Sequence, residues 1–203
     1  AGGGVRVGEA VSDPGRCPIP TGGHNRLRAP VDDVISHDID ISVGSLGGIP
    51  AGAAAARRLG VPARVHVKGD TGFGRNGFTE EGFRAALEAL APFAREGVLH
   101  IVGQWSHLSV ADAPDVPEFV ASTDRQIASF GRFTRAMAKA GVEPEIRHLA
   151  NTAATLSRPD IHYELTRPGI GLYGYEPDRA LGTPSQSRLR PALTLQAQIG
   201  PLK

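Results

Sequence analysis

Apolar and polar residues alternate at two different periods along most of this 203-residue chain, and the switches between them mark out its elements. Ile39-Asp40-Ile41-Ser42-Val43 alternates with period two, as a half-buried strand does. Gly52 to Leu59 is alanine-rich and reads as a helix, ended by Gly60 and Pro62. Val65-His66-Val67-Lys68 alternates again. Thr79 stands where it can cap a helix, with Glu80 and Glu81 in the first turn, where the helix dipole favours carboxylates. Phe83, Leu87, Leu90 and Ala94 then share one helical face. Val98 to Val102 predicts a third strand. A helix over about Val116 to Ala140 carries Ile127, Phe130, Phe133 and Met137 on one stripe, and Gly141 closes it. Residues Glu145 to Leu149 predict a fourth strand and Ile170 to Tyr173 a fifth.

Strands alternating with helices at this spacing predict parallel βα units, hence an α/β protein. A closed barrel needs eight such units, and about five are legible, so the expected architecture is a partial (β/α)8 barrel of the TIM type. Ala192 to Ile199 alternates cleanly with no helix before it and predicts the first strand of a C-terminal β domain. Residues 1–30 hold neither period: Gly2-Gly3-Gly4, Pro14-Gly15, Pro18, Pro20 and Gly22-Gly23 leave room for no more than a short strand near Val5 to Val7. The expected division is 1–30, a poorly specified start; 31–185, the partial barrel; and 186–203, the beginning of the β domain. A partial barrel exposes two sheet edges and an apolar interior, which predicts poor solubility for the chain by itself.

Composition narrows the function. Hydrophobic residues make up 40% and charged residues 21%, the balance of a soluble globular protein. A net charge of +1 argues against a dedicated nucleic-acid or acidic-membrane surface. No apolar run approaches the ~20 residues that span a bilayer. Cys17 is the one cysteine, which excludes an internal disulfide and fits a reducing compartment; with no basic, apolar leader visible, the cytoplasm is the expected location. The scattered histidines predict no metal site. Lys68, Lys139 and Lys203 are the only lysines, so covalent chemistry through an amine has few candidates.

Three runs could carry chemistry. Val65 to Phe78 passes from a strand through Gly72, Gly74 and Gly77 into a helix, with Arg75 projecting from the loop. In a βα barrel such loops build the active site, although a structural turn with a solvated arginine fits the spacing equally well. His148-Leu-Ala-Asn151-Thr152 leads from a strand into an alanine-rich helix start; free N–H groups beside a hydroxyl suit a phosphate, and an ordinary N-cap is the plainer alternative. In Arg167-Pro-Gly-Ile170-Gly-Leu-Tyr-Gly, Pro168 removes a backbone donor and Gly169 lets a ligand approach the main chain. Arg167 there is either a ligand group or a buried ion-pair partner. His107, after the third strand, is by itself more often structural than catalytic.

Together these runs resemble the alanine racemase family. Lys68-Gly-Asp-Thr-Gly-Phe-Gly-Arg75-Asn-Gly is similar to its lysine, Asp-Thr-Gly and arginine stretch, and Trp105-Ser-His107 followed by Ala111-Asp112 to its histidine strand. Arg147-His-Leu-Ala-Asn-Thr-Ala-Ala-Thr-Leu156 and Arg167-Pro-Gly-Ile-Gly-Leu-Tyr-Gly174 are close to its two phosphate-side segments. The resemblance implies a homodimeric enzyme that holds pyridoxal 5'-phosphate in a fold type III barrel and interconverts L- and D-alanine for cell-wall synthesis. It implies that Arg167 faces the pyridine nitrogen, Arg75 bonds the phenolic oxygen, and Lys68 matches a lysine that can be carbamylated. His107 would back Arg167, Thr152 with Gly169 and Ile170 would hold the phosphate, and Asn151 would lie beside the site.

The departures from the family pattern are specific. The family's Schiff-base lysine, followed by Tyr-Gly-His, has no counterpart here, and its opposing tyrosine belongs to a domain that would begin near Lys203. No catalytic residue is therefore assigned, and the expectation is an incomplete chain with little or no racemase activity. The alternatives are a non-catalytic pyridoxal-phosphate-binding protein on a related half-barrel and an enzyme for another amino acid. Gly69 replaces an apolar residue at the end of a strand, and Gly47-Gly48-Ile49-Pro50 interrupts the expected start of a helix. Both read as relaxed constraint or as a damaged reading.

Overall fold

The computed structural model describes residues 31–178, 189–194 and 196. A short helix, α1 (Val31–Ser36), leads into strand β1 (Ile41–Val43), helix α2 (Gly48–Leu59), β2 (Ala63–Lys68) and α3 (Glu80–Arg95). There follow β3 (Leu99–Trp105), α4 (Pro117–Lys139), β4 (Ile146–His148) and α5 (Thr152–Ser157), then two 3-10 turns, Pro159–Ile161 and Ile170–Tyr173. The strands form one sheet in the order β1-β2-β3-β4, every pair parallel. Consecutive parallel neighbours with a helix in each crossover make a segment of an α/β barrel.

Local signals explain most boundaries. The Thr79 hydroxyl accepts from Gly82 N at 3.2 Å and caps α3. Gly60 ends α2 in the left-handed region at φ 68°. The helices pack on one side of the sheet, where Val43, Val65, Val67 and Leu99 meet Ala53, Ala56, Phe83, Leu90, Phe133 and Met137. The alanines of α2 let that helix lie close to the strands. Phe83 and Phe133 join α3 to α4, with ring centroids 4.5 Å apart.

The structure corrects five expectations. Four strands stand among the described residues where about five were expected, because Ile170–Tyr173 is a 3-10 turn. Its carbonyls bond three residues ahead, Leu172 N to Gly169 O at 3.1 Å and Gly174 N to Gly171 O at 3.1 Å, and Leu172 is 73% exposed. A short apolar run has no decisive period, and this one meets no neighbouring strand. Residues 192–194 and 196 likewise lie in no strand; the rest of that expected strand, and the one near Val5 to Val7, fall outside the described residues.

The other three corrections concern packing. Gly48 and Pro50 belong to α2, since the first-turn N–H groups of a helix have no intrahelical partner for proline to remove. Gly69 is not a slack position: a Cβ there would come within 2.8 Å of the Phe133 ring, so its absence lets α4 close over the end of β2. The inward side of the sheet, expected to be apolar, is lined by Asp40, Ser42, His66, Lys68, Trp105 and His148, joined by hydrogen bonds and ring contacts. Gly103 makes this possible, because a Cβ there would stand 1.9 Å from His66 Nδ1. Among the described residues no helix is long and apolar enough to cross a membrane.

Candidate active site

The loops after β2, β3 and β4 emerge from the same end of the parallel sheet, where barrels carry their sites. The loop after β2 is tied to itself. Asp70 Oδ1 accepts from Gly72 N at 2.9 Å and from Gly74 N at 3.1 Å, and Phe78 N donates to Lys68 O at 2.9 Å. Arg75 projects from this closed loop with its guanidinium 4.6 Å from the Phe73 ring, which lies 5.7 Å from His107.

Arg167 is the centre of the site. Its own N–H donates to Ala150 O at 2.9 Å, which lays the segment beside the end of β4. Its Nη1 donates to His148 Nδ1 at 2.7 Å, and its Nη2 to Ser106 O at 2.7 Å and to Leu149 O at 3.4 Å. The guanidinium also lies 5.0 Å from the Trp105 ring. Because an arginine can only donate, these contacts fix every proton behind it. His148 Nδ1 must accept, so its Nε2 donates to His66 Nδ1 at 2.9 Å, and His66 Nε2 donates to Asp40 Oδ2 at 2.9 Å. Asp40 Oδ1 takes Arg64 Nε at 2.9 Å. A chain of defined polarity thus crosses the sheet from Asp40 to Arg167.

The electrostatics follow from this packing. Burial, reinforced by Arg167 and His66, pushes His148 down to about 2. Burial and the nearby cations Arg167, Arg75 and Lys68 push His107 down to about 4. Both rings are therefore neutral at pH 7. Burial raises the Asp40 carboxyl, but hydrogen bonds from His66 and Arg64 outweigh it and hold the group below the ordinary range. Burial, with repulsion from Arg75, brings Arg167 down to about 10, which leaves it protonated. Lys68, over the Trp105 ring at 4.5 Å, is lowered by burial and by Arg75 and Arg167, against the pull of Asp70. Lys68, Arg75 and Arg167 together make the site electropositive.

A cavity of about 280 Å³ lies among these loops, lined by His107, Asn151, Thr152, Arg167, Gly169 and Ile170 together with Phe73 and Asp112. Six of the residues singled out from the sequence therefore share one cavity. Lys68 and Arg75 stand at its side, against Trp105 and Phe73. Of the two readings of the Asn151-Thr152 run, Asn151 is the N-cap, its Oδ1 accepting from Ala154 N at 3.1 Å. The Thr152 hydroxyl takes Gly171 N at 3.3 Å and so joins α5 to the 3-10 turn. His107 reaches Arg167 only at 3.5 Å, whereas His148 holds it at 2.7 Å. The close partner is thus His148, because it ends the strand beside which Arg167 is laid. His148, His66 and Asp40 were not singled out from sequence. The signal for them was present: Arg64, His66 and Lys68 alternate on one face of a strand whose other face is Val65 and Val67.

A parallel sheet with a helix in each crossover, and loops that gather three basic side chains around a small cavity at one end, defines a segment of an α/β barrel with a candidate site where barrels carry theirs. Residues 13–177 match the family model described as alanine racemase, N-terminal domain. An alanine racemase of Frankia casuarinae is 45% identical over 161 residues, which is 79% of this chain and 41% of that protein. One from Streptomyces coelicolor is 40% identical over 179 residues, covering 86% and 44%. The crystal structure of alanine racemase from D-cycloserine-producing Streptomyces lavendulae superposes with a TM-score of 0.76 at 40% identity, over 80% of this chain and 42% of that one. For the Streptomyces coelicolor enzyme the TM-score is 0.79 at 36% identity, over 92% and 48%. This chain belongs to the alanine racemase family. It spans less than half the length of these relatives.

Proposed function

We propose that this chain forms the cofactor-holding part of a pyridoxal-phosphate-dependent racemase acting on alanine. The observation that carries the reading is Arg167, a protonated guanidinium held at the cavity by His148 and Ser106 O. Two arginines, Arg75 and Arg167, beside a cavity of about 280 Å³ suit an anionic, phosphorylated ring. Pyridoxal phosphate, when bound, supplies an electron sink for the substrate's α-carbon. Arg167 would face its pyridine nitrogen and, as a donor that keeps its proton, would weaken that sink and favour racemisation over side reactions. Arg75 would bond the phenolic oxygen. Thr152, Gly169 and Ile170 would hold the phosphate, with open space where a Cβ of Gly169 would stand. His107 and Asn151 would line the site.

Lys68 would act as a carbamate. Its neutral amine adds carbon dioxide at Nζ and releases one proton, and the cations that disfavour the ammonium form favour the resulting anion. The parent enzyme would be a cytoplasmic homodimer supplying D-alanine to the cell wall. No residue of this chain is assigned to move the substrate proton.

The test uses Trp105, the only tryptophan. Titrating the purified chain with pyridoxal phosphate should quench its fluorescence saturably, and Arg167→Ala should weaken binding at least tenfold. Borohydride reduction followed by peptide mapping should label no lysine, and alanine should not racemise. Absence of saturable quenching would refute the reading. Labelling of Lys68 would instead favour a site rebuilt around that amine.

A further inference from the structure

Helix α4 lies behind the loops after β2 and β3 and is fully seated without Gln126. Phe130, Phe133 and Met137 pack into the two cores, Gln104 Nε2 donates to Phe130 O at 3.2 Å, and Arg132 Nε donates to Glu80 at 2.9 Å. Gln126, one turn before these anchors, is 2% exposed and spends every polar atom on the two loops. Its Oε1 accepts from Ser109 N and from Ser109 Oγ, each at 2.9 Å. Its Nε2 donates to Thr71 Oγ1 and to His107 O, each at 3.2 Å. The partners leave one orientation for the amide, because a backbone N–H can only donate and a carbonyl can only accept.

The contacts continue toward the site. Thr71 Oγ1 lies 2.9 Å from Ser106 Oγ, and Ser106 O takes Arg167 Nη2 at 2.7 Å. The position where a Cβ on Gly72 would stand is 3.8 Å from Gln126 Cγ, so the side chain also lies beneath the turn that leads to Arg75. The two loops leave paired strands and meet directly at Thr71 and Ser106, but one goes on to Arg75 and the other to His107 and Ser109. A single amide with four bonds ties them together at these points.

We propose that Gln126 is a positioning residue that clasps the loops after β2 and β3, setting Arg75, His107 and the Ser106 seat of Arg167 around one cavity. It touches none of the cavity-lining groups through their own side chains except Ser109, and it acts through Thr71, Ser109 and the His107 carbonyl. The clasp stands on the geometry of the chain alone; its bearing on cofactor binding rests on the function proposed above.

Amide hydrogen exchange of the ligand-free chain tests the clasp. In Gln126→Leu, peptides covering residues 70–77 and 106–112 should both exchange about tenfold faster, while residues 127–139 keep their protection. Two milder variants separate the halves. Thr71→Val removes the hydroxyl that takes Gln126 Nε2 and leaves both bonds to Ser109, so the 70–77 loop should loosen while the Ser109 amide stays protected. Ser109→Ala should loosen 106–112 alone. Met137→Ala, in the core at the far end of α4, should lower the melting temperature and leave both loops unchanged. Unchanged loops in Gln126→Leu, or loops equally loosened by Met137→Ala, would overturn the proposal. The pyridoxal phosphate titration is then read separately: wild-type binding weakened about tenfold in Gln126→Leu extends the clasp to the cofactor, equal affinity denies that extension, and no wild-type binding refutes only the proposed function.

Discussion

Acid should unfold this protein through a histidine that cannot take up a proton where it lies. His148 is 0% exposed and held neutral by an arginine on one side and His66 on the other. Its folded value is about 2 against an ordinary 6.5. At pH 7 the ring is neutral in the folded state and about three-quarters neutral in the unfolded one, so it contributes little to the pH dependence there. As pH falls below 6.5 the unfolded chain takes the proton and the folded chain does not, so stability declines by about 1.4 kcal/mol per pH unit. Between pH 7 and pH 4.5 the loss is about 2.5 kcal/mol, and it continues toward pH 2. With a urea m-value of about 2.5 kcal/mol/M, the unfolding midpoint should fall by about 1 M over that interval. His107 acts in the same direction down to about 4, with a smaller share because it is partly exposed.

The control is His148→Asn, whose side-chain oxygen can still accept from Arg167 but cannot be protonated. The variant starts less stable, having lost the bond to His66, yet its stability should fall less steeply between pH 6.5 and 4.5, by about one proton. Carboxylates contribute to both proteins and cancel in the difference. Equal slopes, or a His148 ring resonance that titrates near pH 6 in the folded protein, would refute the reasoning.

Other substitutions test other parts of the structure. Gly69→Val should lower stability by about 1–3 kcal/mol in thermal melts, because its side chain would enter the Phe133 ring; a neutral result would mean that α4 does not close over β2 as described. Asp40→Asn leaves one carbonyl oxygen for two donors, His66 and Arg64, and should cost about 1–3 kcal/mol at pH 7. Since the Asp40 carboxyl is held below its ordinary value, its contribution is present above about pH 4 and lost below it, so wild type and variant should converge in acid. Thr79→Ala should cost about 1 kcal/mol in chemical denaturation, from the lost cap on α3.

Much of the scaffold was legible in the residues. Thr79 with Glu80 and Glu81, the Phe130-Phe133-Met137 stripe and the Val65-Val67 alternation each specify an element through neighbours a few positions away, so local chemistry suffices to read them. Asn151 and Thr152 were legible as a strand end running into a capped helix, Arg75 as a residue of a glycine-bearing loop, and Arg167 as the neighbour of Pro168-Gly169. Ile170–Tyr173 was misread as a strand for the converse reason. A strand is completed by a neighbour, and four apolar residues carry no record of whether one is there.

What the tertiary structure alone decided lies in contacts between residues distant in the chain. Arg167 meets Ser106 and Gln126 meets Thr71 across separate crossovers, and His66 meets His148 only because β2, β3 and β4 lie side by side with a glycine at position 103 between the rings. The sequence by itself determined the period of each element and the residue types offered at each loop. Register and packing determined which histidine holds Arg167, which amide spaces the loops, and why Gly69 and Gly103 have no side chain. Local preference acts along a few residues of backbone, whereas a hydrogen bond or a steric limit depends on where the fold brings two atoms together.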